Sequence, residues 1–186
     1  MGFACEDDAR RVLAILPKRF AKYGLTIHPD KTRLVSFERP SRPPRRPTEK
    51  CRESPGAFDL LGFTHFWSYS LKGSPVVKRR TSRSRFSRGL RSLKEWFRKH
   101  RHLDIAAQHQ TLCQNLTGHF AYYGITGNSV ALSRFRQAAV RLWRRSLSRQ
   151  RRDGAIAWNQ FNQFLERHPL PPSVAIHSVC RPVASS

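Results

Sequence analysis

Acidic residues are scarce in this sequence. Twelve Asp and Glu stand against 35 Lys and Arg in 186 residues, giving a net charge of +23 and an isoelectric point near 11.5. From Leu60 to Arg152 the acids are Glu95 and Asp104 alone, against 20 Lys and Arg. A charge this one-sided opposes compaction and attracts polyanions, with nucleic acid as the favoured partner. Long apolar runs are lacking too. The longest early one, Val12 to Leu16, is too short for a signal-peptide core or a membrane span, so no membrane partner is expected and a cytoplasmic location is the default. Cys5, Cys51, Cys113 and Cys180 lie 46, 62 and 67 positions apart, which excludes both a zinc knuckle and a dense disulfide scaffold. They read as reduced thiols, and no metal site is expected of them. His100 and His102 are two apart and would not share a helix face. What the chain does have is 39% apolar and 11% aromatic residues, enough to bury a core and to exclude disorder along its whole length. Its length suits one full domain or two small ones.

The periodicity predicts an α+β chain. Ala9, Val12, Leu13, Leu16, Phe20 and Tyr23 recur at helical steps over 6–23, with Glu6, Asp7 and Asp8 in the first turn and Gly24 as a left-handed stop. Leu25–Ile27 and Leu34–Phe37 read as short extended segments, and 38–56, rich in proline and arginine, as a basic loop. Phe58–Tyr69 returning as Val76–Arg80 across a Gly73 turn reads as a β-hairpin. Phe86, Leu90, Leu93 and Phe97 then set a helix from Ser82 to about Lys99. Asp104 caps a second helix, Ile105 to Tyr123, which Gly124 ends. Asn128 caps a third, with Val130, Phe135, Ala138, Ala139, Leu142 and Leu147 facing inward. A shorter helix over Asn159–Arg167 and an extended proline-rich tail from Pro169 complete the chain. A small α/β piece over 1–80 is thus followed by a mostly helical, three-helix bundle over 81–186, and the Trp residues 67, 96, 143 and 158 are core or half-buried anchors.

The basic residues carry the functional signal. Arg79, Arg80, Arg83, Arg85, Arg88, Arg91, Lys94 and Arg98 flank an apolar stripe, with Glu95 the lone acid between Gly62 and His102. A merely solvated face normally interleaves both signs, and arginine suits bidentate phosphate contact. Arg134, Arg141, Arg144 and Arg145 repeat the pattern on a second helix, making a cleft or a wrapped surface. Glu6-Asp7-Asp8 has the residue types of a two-metal site, but as the opening of an amphipathic helix it reads as a helix start. The aromatics of Gly118–Gly124 either pack in the core or stack on unpaired bases.

Gly24-Leu25-Thr26-Ile27-His28-Pro29-Asp30-Lys31-Thr32-Arg33 resembles the late palm motif of group II intron reverse transcriptases, and Phe58-Asp59-Leu60-Leu61-Gly62-Phe63-Thr64 resembles the motif that closes their palm. Gly118–Gly124 with Ile125-Thr126-Gly127-Asn128, then Pro169-Leu170-Pro171 and Ile176-His177-Ser178, are similar to their thumb and maturase region. The order holds over nearly the whole chain. The resemblance implies the C-terminal part of such an enzyme: a palm remnant followed by thumb and maturase. It implies as partner a structured intron RNA or RNA/DNA duplex. It also implies roles in splicing and intron mobility, and Mg²⁺ for the full-length family but no cofactor for this chain. The family's Tyr-x-Asp-Asp turn falls just before the helix that begins near Asp8, whereas the sequence opens at Met1-Gly2-Phe3. No complete catalytic set is therefore expected, and an upstream polypeptide carrying fingers and catalytic palm is an implied partner. By the same resemblance Lys31 is an accessory candidate that protonates leaving pyrophosphate or merely neutralises phosphate. A free-standing maturase-like splicing factor, half of a split polymerase and a generic basic nucleic-acid-binding protein are the alternatives.

Overall fold

The computed structural model describes residues 2–28, 32–40, 56–70, 72–151 and 154–175. Among them the order is α1 (Glu6–Ala21), β1 (Phe58–Leu60), β2 (Phe63–Tyr69), β3 (Pro75–Thr81), α2 (Arg83–Lys99), α3 (Ile105–Tyr123), α4 (Ser129–Ser148) and α5 (Trp158–Arg167). The α+β expectation holds, as five helices and one three-stranded antiparallel sheet in the order β1-β2-β3. No helix among the described residues is long and apolar enough to cross a membrane.

α1 stops where the sequence says. Gly24 takes φ +69, and the Leu25 N–H reaches back to the Phe20 carbonyl at 3.0 Å, the bond pattern that satisfies the last open carbonyls of a helix. Its apolar face finds little cover: Ala9 is its buried residue, and Ile15 and Tyr23 are exposed. Leu25–Ile27 and Leu34–Phe37 form no strands. Phe37 instead packs its ring on Phe58 and Trp67, 4.9 and 5.4 Å away.

The expected long strand Phe58–Tyr69 is two strands. Leu61 and Gly62 both take positive φ, 50° and 84°, the conformation of a two-residue hairpin loop whose twist matches its strands. The turn was hidden in an apolar run. β2 then pairs with β3 from Phe63↔Thr81 to Tyr69↔Pro75, across a loop in which Gly73 takes φ +77.

The core sits in the helices. Leu93 and Phe97 of α2, Leu112, Leu116 and Phe120 of α3, and Leu132, Phe135, Ala139, Trp143 and Leu147 of α4 form one buried cluster. Phe161 of α5 and Leu170 close it. α3 runs antiparallel to α4, since His119 stacks on Phe135 at 3.7 Å while Gln108 meets Trp143. α2 runs parallel to α4, with Phe86 against Phe135 at one end and the Gln150 amide on the Arg101 carbonyl at the other. Asp104 caps α3 as expected, accepting from the Ala107 N–H at 3.1 Å. Asn128 precedes α4 but does not cap it with its side chain. That side chain is buried, accepting from the Thr81 N–H at 2.9 Å and donating to the Thr81 hydroxyl at 2.8 Å and the Tyr123 carbonyl at 2.9 Å. It thus ties the end of β3 to the α3–α4 corner. Val130, expected inward, is 61% exposed: at helical spacing it lies about 140° to 180° round α4 from the buried Phe135, Ala139 and Trp143.

Candidate nucleic-acid interface

The parallel packing of α2 on α4 decides where the basic residues go. Arg141 and Arg145 of α4 and Arg149 just beyond it are four residues apart, so they rise in steps of about 6 Å along one face. Arg91, Lys94 and Arg98 of α2, with Arg101 just past its end, form a second row at helical spacing. Between the rows runs a groove. One stretch, about 370 Å³, is lined by Leu90, Arg91, Lys94, Ala138, Arg141, Leu142 and Arg145. The next, about 320 Å³, continues past Arg98 and Arg101 to Ser146 and Arg149 over a floor of Phe97 and Leu142. Seven basic side chains face this groove and Glu95 is its one carboxylate.

These charges are not neutralised from within. Among the described residues the ion pairs are Arg10–Glu6 at 2.6 Å and Arg11–Asp8 at 3.9 Å, both on α1. Arginine and lysine heads spaced along a groove with a single carboxylate, Glu95, have the chemistry that phosphate contact requires. Arg101 extends the row beyond the basic helix that the sequence outlined, and its position three residues after Arg98 was the available signal.

The other predicted residues distribute themselves around this groove. Arg134 is exposed two turns before Arg141 on α4 and continues its row, and Arg83 is exposed in the first turn of α2. Arg85 and Arg88 point to the other flank, where the Arg85 stem approaches Gly62 and Tyr123. On β3, Arg79 is half-buried opposite His65 and Arg80 lies over the Phe66 ring at 5.0 Å. Arg144 is committed to the fold. Its guanidinium donates to the Ile156 carbonyl at 2.5 Å and stacks over Trp158 at 4.1 Å, which makes it a clamp for the segment leading into α5. Lys31 lies outside the described residues.

The first-turn acids do not fit a two-metal site, since Glu6 and Asp8 are each turned to an arginine on an exposed helix. No group of three or more His, Cys, Asp or Glu among the described residues could hold a metal ion. Another cavity, about 570 Å³, is lined by His109, Gln110, Cys113, Gln114 and Thr117. There His109 Nε2 stands 3.3 Å from Cys113 Sγ and 2.9 Å from the Pro169 carbonyl. Burial pushes the Cys113 thiol up, the reverse of an activated nucleophile, and the histidine serves to hold the extended segment that starts at Pro169. Arg136 holds the same segment through the Pro171 carbonyl at 3.0 Å.

The aromatic run of α3 is divided between core and surface. Phe120 is buried, His119 is sandwiched inside with its pKa lowered by burial to about 4, and Tyr122 turns outward, 54% exposed. Burial raises the Tyr123 hydroxyl, against the pull of Arg85. Comparison of the chain with protein-family models, curated proteins and solved structures finds no match.

Proposed function

We propose that this chain binds structured RNA, gripping the phosphates of a duplex in the groove between α2 and α4. The observation that carries the reading is the pair of facing basic rows, Arg91–Lys94–Arg98–Arg101 and Arg141–Arg145–Arg149, which share a single acid, Glu95. Such a surface recognises duplex geometry more than sequence, as expected for RNA whose deep major groove side chains cannot read. An RNA/DNA duplex offers it the same backbone.

The sequence resemblance makes the reading more specific: a C-terminal palm, thumb and maturase portion of a group II intron reverse transcriptase. Its own task is RNA binding in splicing and mobility, with DNA synthesis depending on a polypeptide that carries fingers and catalytic palm. The hairpin turn at Leu61-Gly62 and the aromatic end of α3, which meet in the structure, lie in two of the motifs that carry the resemblance.

Fluorescence anisotropy with a labelled RNA duplex tests the binding directly. Affinity is expected to fall steeply between 50 and 200 mM salt, by about 10³-fold or more for six or more phosphate contacts. Affinity that ignores salt refutes the groove. Rescue of group II intron splicing by the chain alone supports a maturase role, and DNA synthesis only on adding an upstream polypeptide supports a split polymerase. Duplex binding with neither leaves a generic basic nucleic-acid-binding protein.

A further inference from the structure

The flank of α2 away from the groove carries a feature that duplex binding does not use. Arg85 sits about 140° to 180° round the helix from Lys94 and Arg98, and Arg88 about 80° to 120°, next to the end of α3. There Tyr122 is more than half exposed, yet its ring is fixed. Its hydroxyl donates to the Leu61 carbonyl at 2.8 Å, and one ring face lies on Phe63, with centroids 5.9 Å and planes 14° apart. Tyr123 braces it edge-on at 4.7 Å. A ring tethered at its tip and backed on one face presents the other to solvent. Beside it Leu61 is 75% exposed, at the tip of the β1–β2 turn. A β-carbon on Gly62 would stand 2.9 Å from the Tyr123 hydroxyl and 3.5 Å from the Arg85 stem, so arginine and tyrosine meet over this turn. Among the described residues neither Arg85 nor Arg88 is in an ion pair.

We infer that this corner is a stacking site for an unpaired RNA base, with Tyr122 as the platform and Arg85 and Arg88 as phosphate partners. The inference rests on the RNA-binding reading above and adds a single-stranded segment to it: the chain engages a junction, with duplex in the groove and the unpaired strand at Tyr122. The chemistry follows from the arrangement. A base stacks on any aromatic face whatever its sequence, and a ring already held by Phe63 and Leu61 has little freedom left to lose on binding. An apolar peptide is the competing occupant. Two arginines without a carboxylate favour a strand that carries phosphates.

The test uses the full chain and two labelled probes, a blunt RNA duplex and the same duplex with a single-stranded uridine overhang. The wild-type protein is expected to bind the overhang probe more tightly. Tyr122→Ala removes that advantage, a loss of about 5- to 150-fold for one stacked base, and leaves the blunt duplex unchanged. Tyr122→Phe, which gives up the Leu61 hydrogen bond but keeps the ring, retains most of it, and Arg85→Ala reduces it. The inference is overturned if the wild-type protein shows no overhang advantage, if Tyr122→Ala weakens both probes equally, or if Tyr122→Phe falls as far as Tyr122→Ala. Salt-insensitive or absent binding of the blunt duplex refutes the groove as well, whereas salt-dependent blunt binding without an overhang advantage refutes the stacking site alone.

Discussion

Replacing Arg141, Arg145 and Arg149 together by alanine removes one wall of charge from the groove without touching its floor. All three are exposed, and among the described residues none of their side chains makes a hydrogen bond or ion pair that would be lost from the fold. Alanine is also the better helix former. Each phosphate contact contributes about 0.9 to the slope of log affinity against log salt. If all seven basic groups of the groove engage, the wild-type slope is about −6, a loss of roughly 6,000-fold between 50 and 200 mM salt. The triple variant keeps four, so its slope falls to about −3.6 and its loss over the same interval to roughly 150-fold. Anisotropy titrations of a labelled RNA duplex at several salt concentrations read both numbers, with thermal melting as the control that the variant is folded. A second control is Arg10→Ala with Arg11→Ala, which removes two arginines already paired with Glu6 and Asp8 on α1. The reasoning fails if the triple variant keeps the wild-type slope, or if the α1 variant reduces it as much.

Other expectations follow from the fold. Asn128→Ala leaves the buried Thr81 N–H without its partner, while the Tyr123 carbonyl keeps the Ile125 N–H at 2.8 Å; one unsatisfied buried group costs about 1–3 kcal/mol, the loss that urea unfolding should show. Gly62→Ala meets both a positive φ and the Tyr123 hydroxyl, whereas Gly73→Ala meets a positive φ in open space. Unfolding midpoints should therefore show Gly62→Ala as clearly the worse of the two, with Gly73→Ala costing about 1–2 kcal/mol. His119 is held neutral by burial, with a folded pKa of about 4 against an ordinary 6.5. The unfolded chain then binds the extra proton first, so stability drops as pH falls from about 6.5 and levels off below about 4. His119→Phe, which keeps the ring on Phe135, should flatten that part of the stability–pH curve, and an unchanged curve would remove His119 as its source.

Local signals read well from the sequence and long-range ones did not. Gly24 and Asp104 announced their helix ends because each works within one turn of chain. The Leu61-Gly62 turn stayed hidden because neither flank is polar; only the partner strand reveals that Leu60 faces Phe63. The arginines of the groove were visible one by one, but their convergence depends on α2 and α4 running parallel, which no spacing within either helix encodes. Arg144 shows the reverse. By sequence it is one more basic residue on α4, and only the return of Ile156 and Trp158 to its side gives it a fixed place. Tyr122 and Tyr123 are neighbours with similar local surroundings, yet one hydroxyl reaches the Leu61 carbonyl and the other lies over Gly62, a distinction set by the hairpin tip.

The same geometry ties binding to stability. Facing rows of basic side chains repel one another, the less so as salt screens them, and Glu95 is the one acid lining the groove to relieve them. The cluster around Trp143, Leu112 and Leu116, each fully buried, has to hold α2 and α4 together against that repulsion. A duplex phosphate backbone in the groove replaces repulsion by attraction on both helices at once. That relief contributes to the affinity, and by linkage the bound duplex should stabilise the bundle by about 2.7 kcal/mol at a ligand concentration of 100 Kd. Added salt acts in opposite directions on the two forms, since screening strengthens the free bundle while weakening the complex. Melting temperature without RNA is accordingly expected to rise with salt and melting temperature with RNA to fall. Parallel responses in the two series would mean that the rows do not strain the free protein.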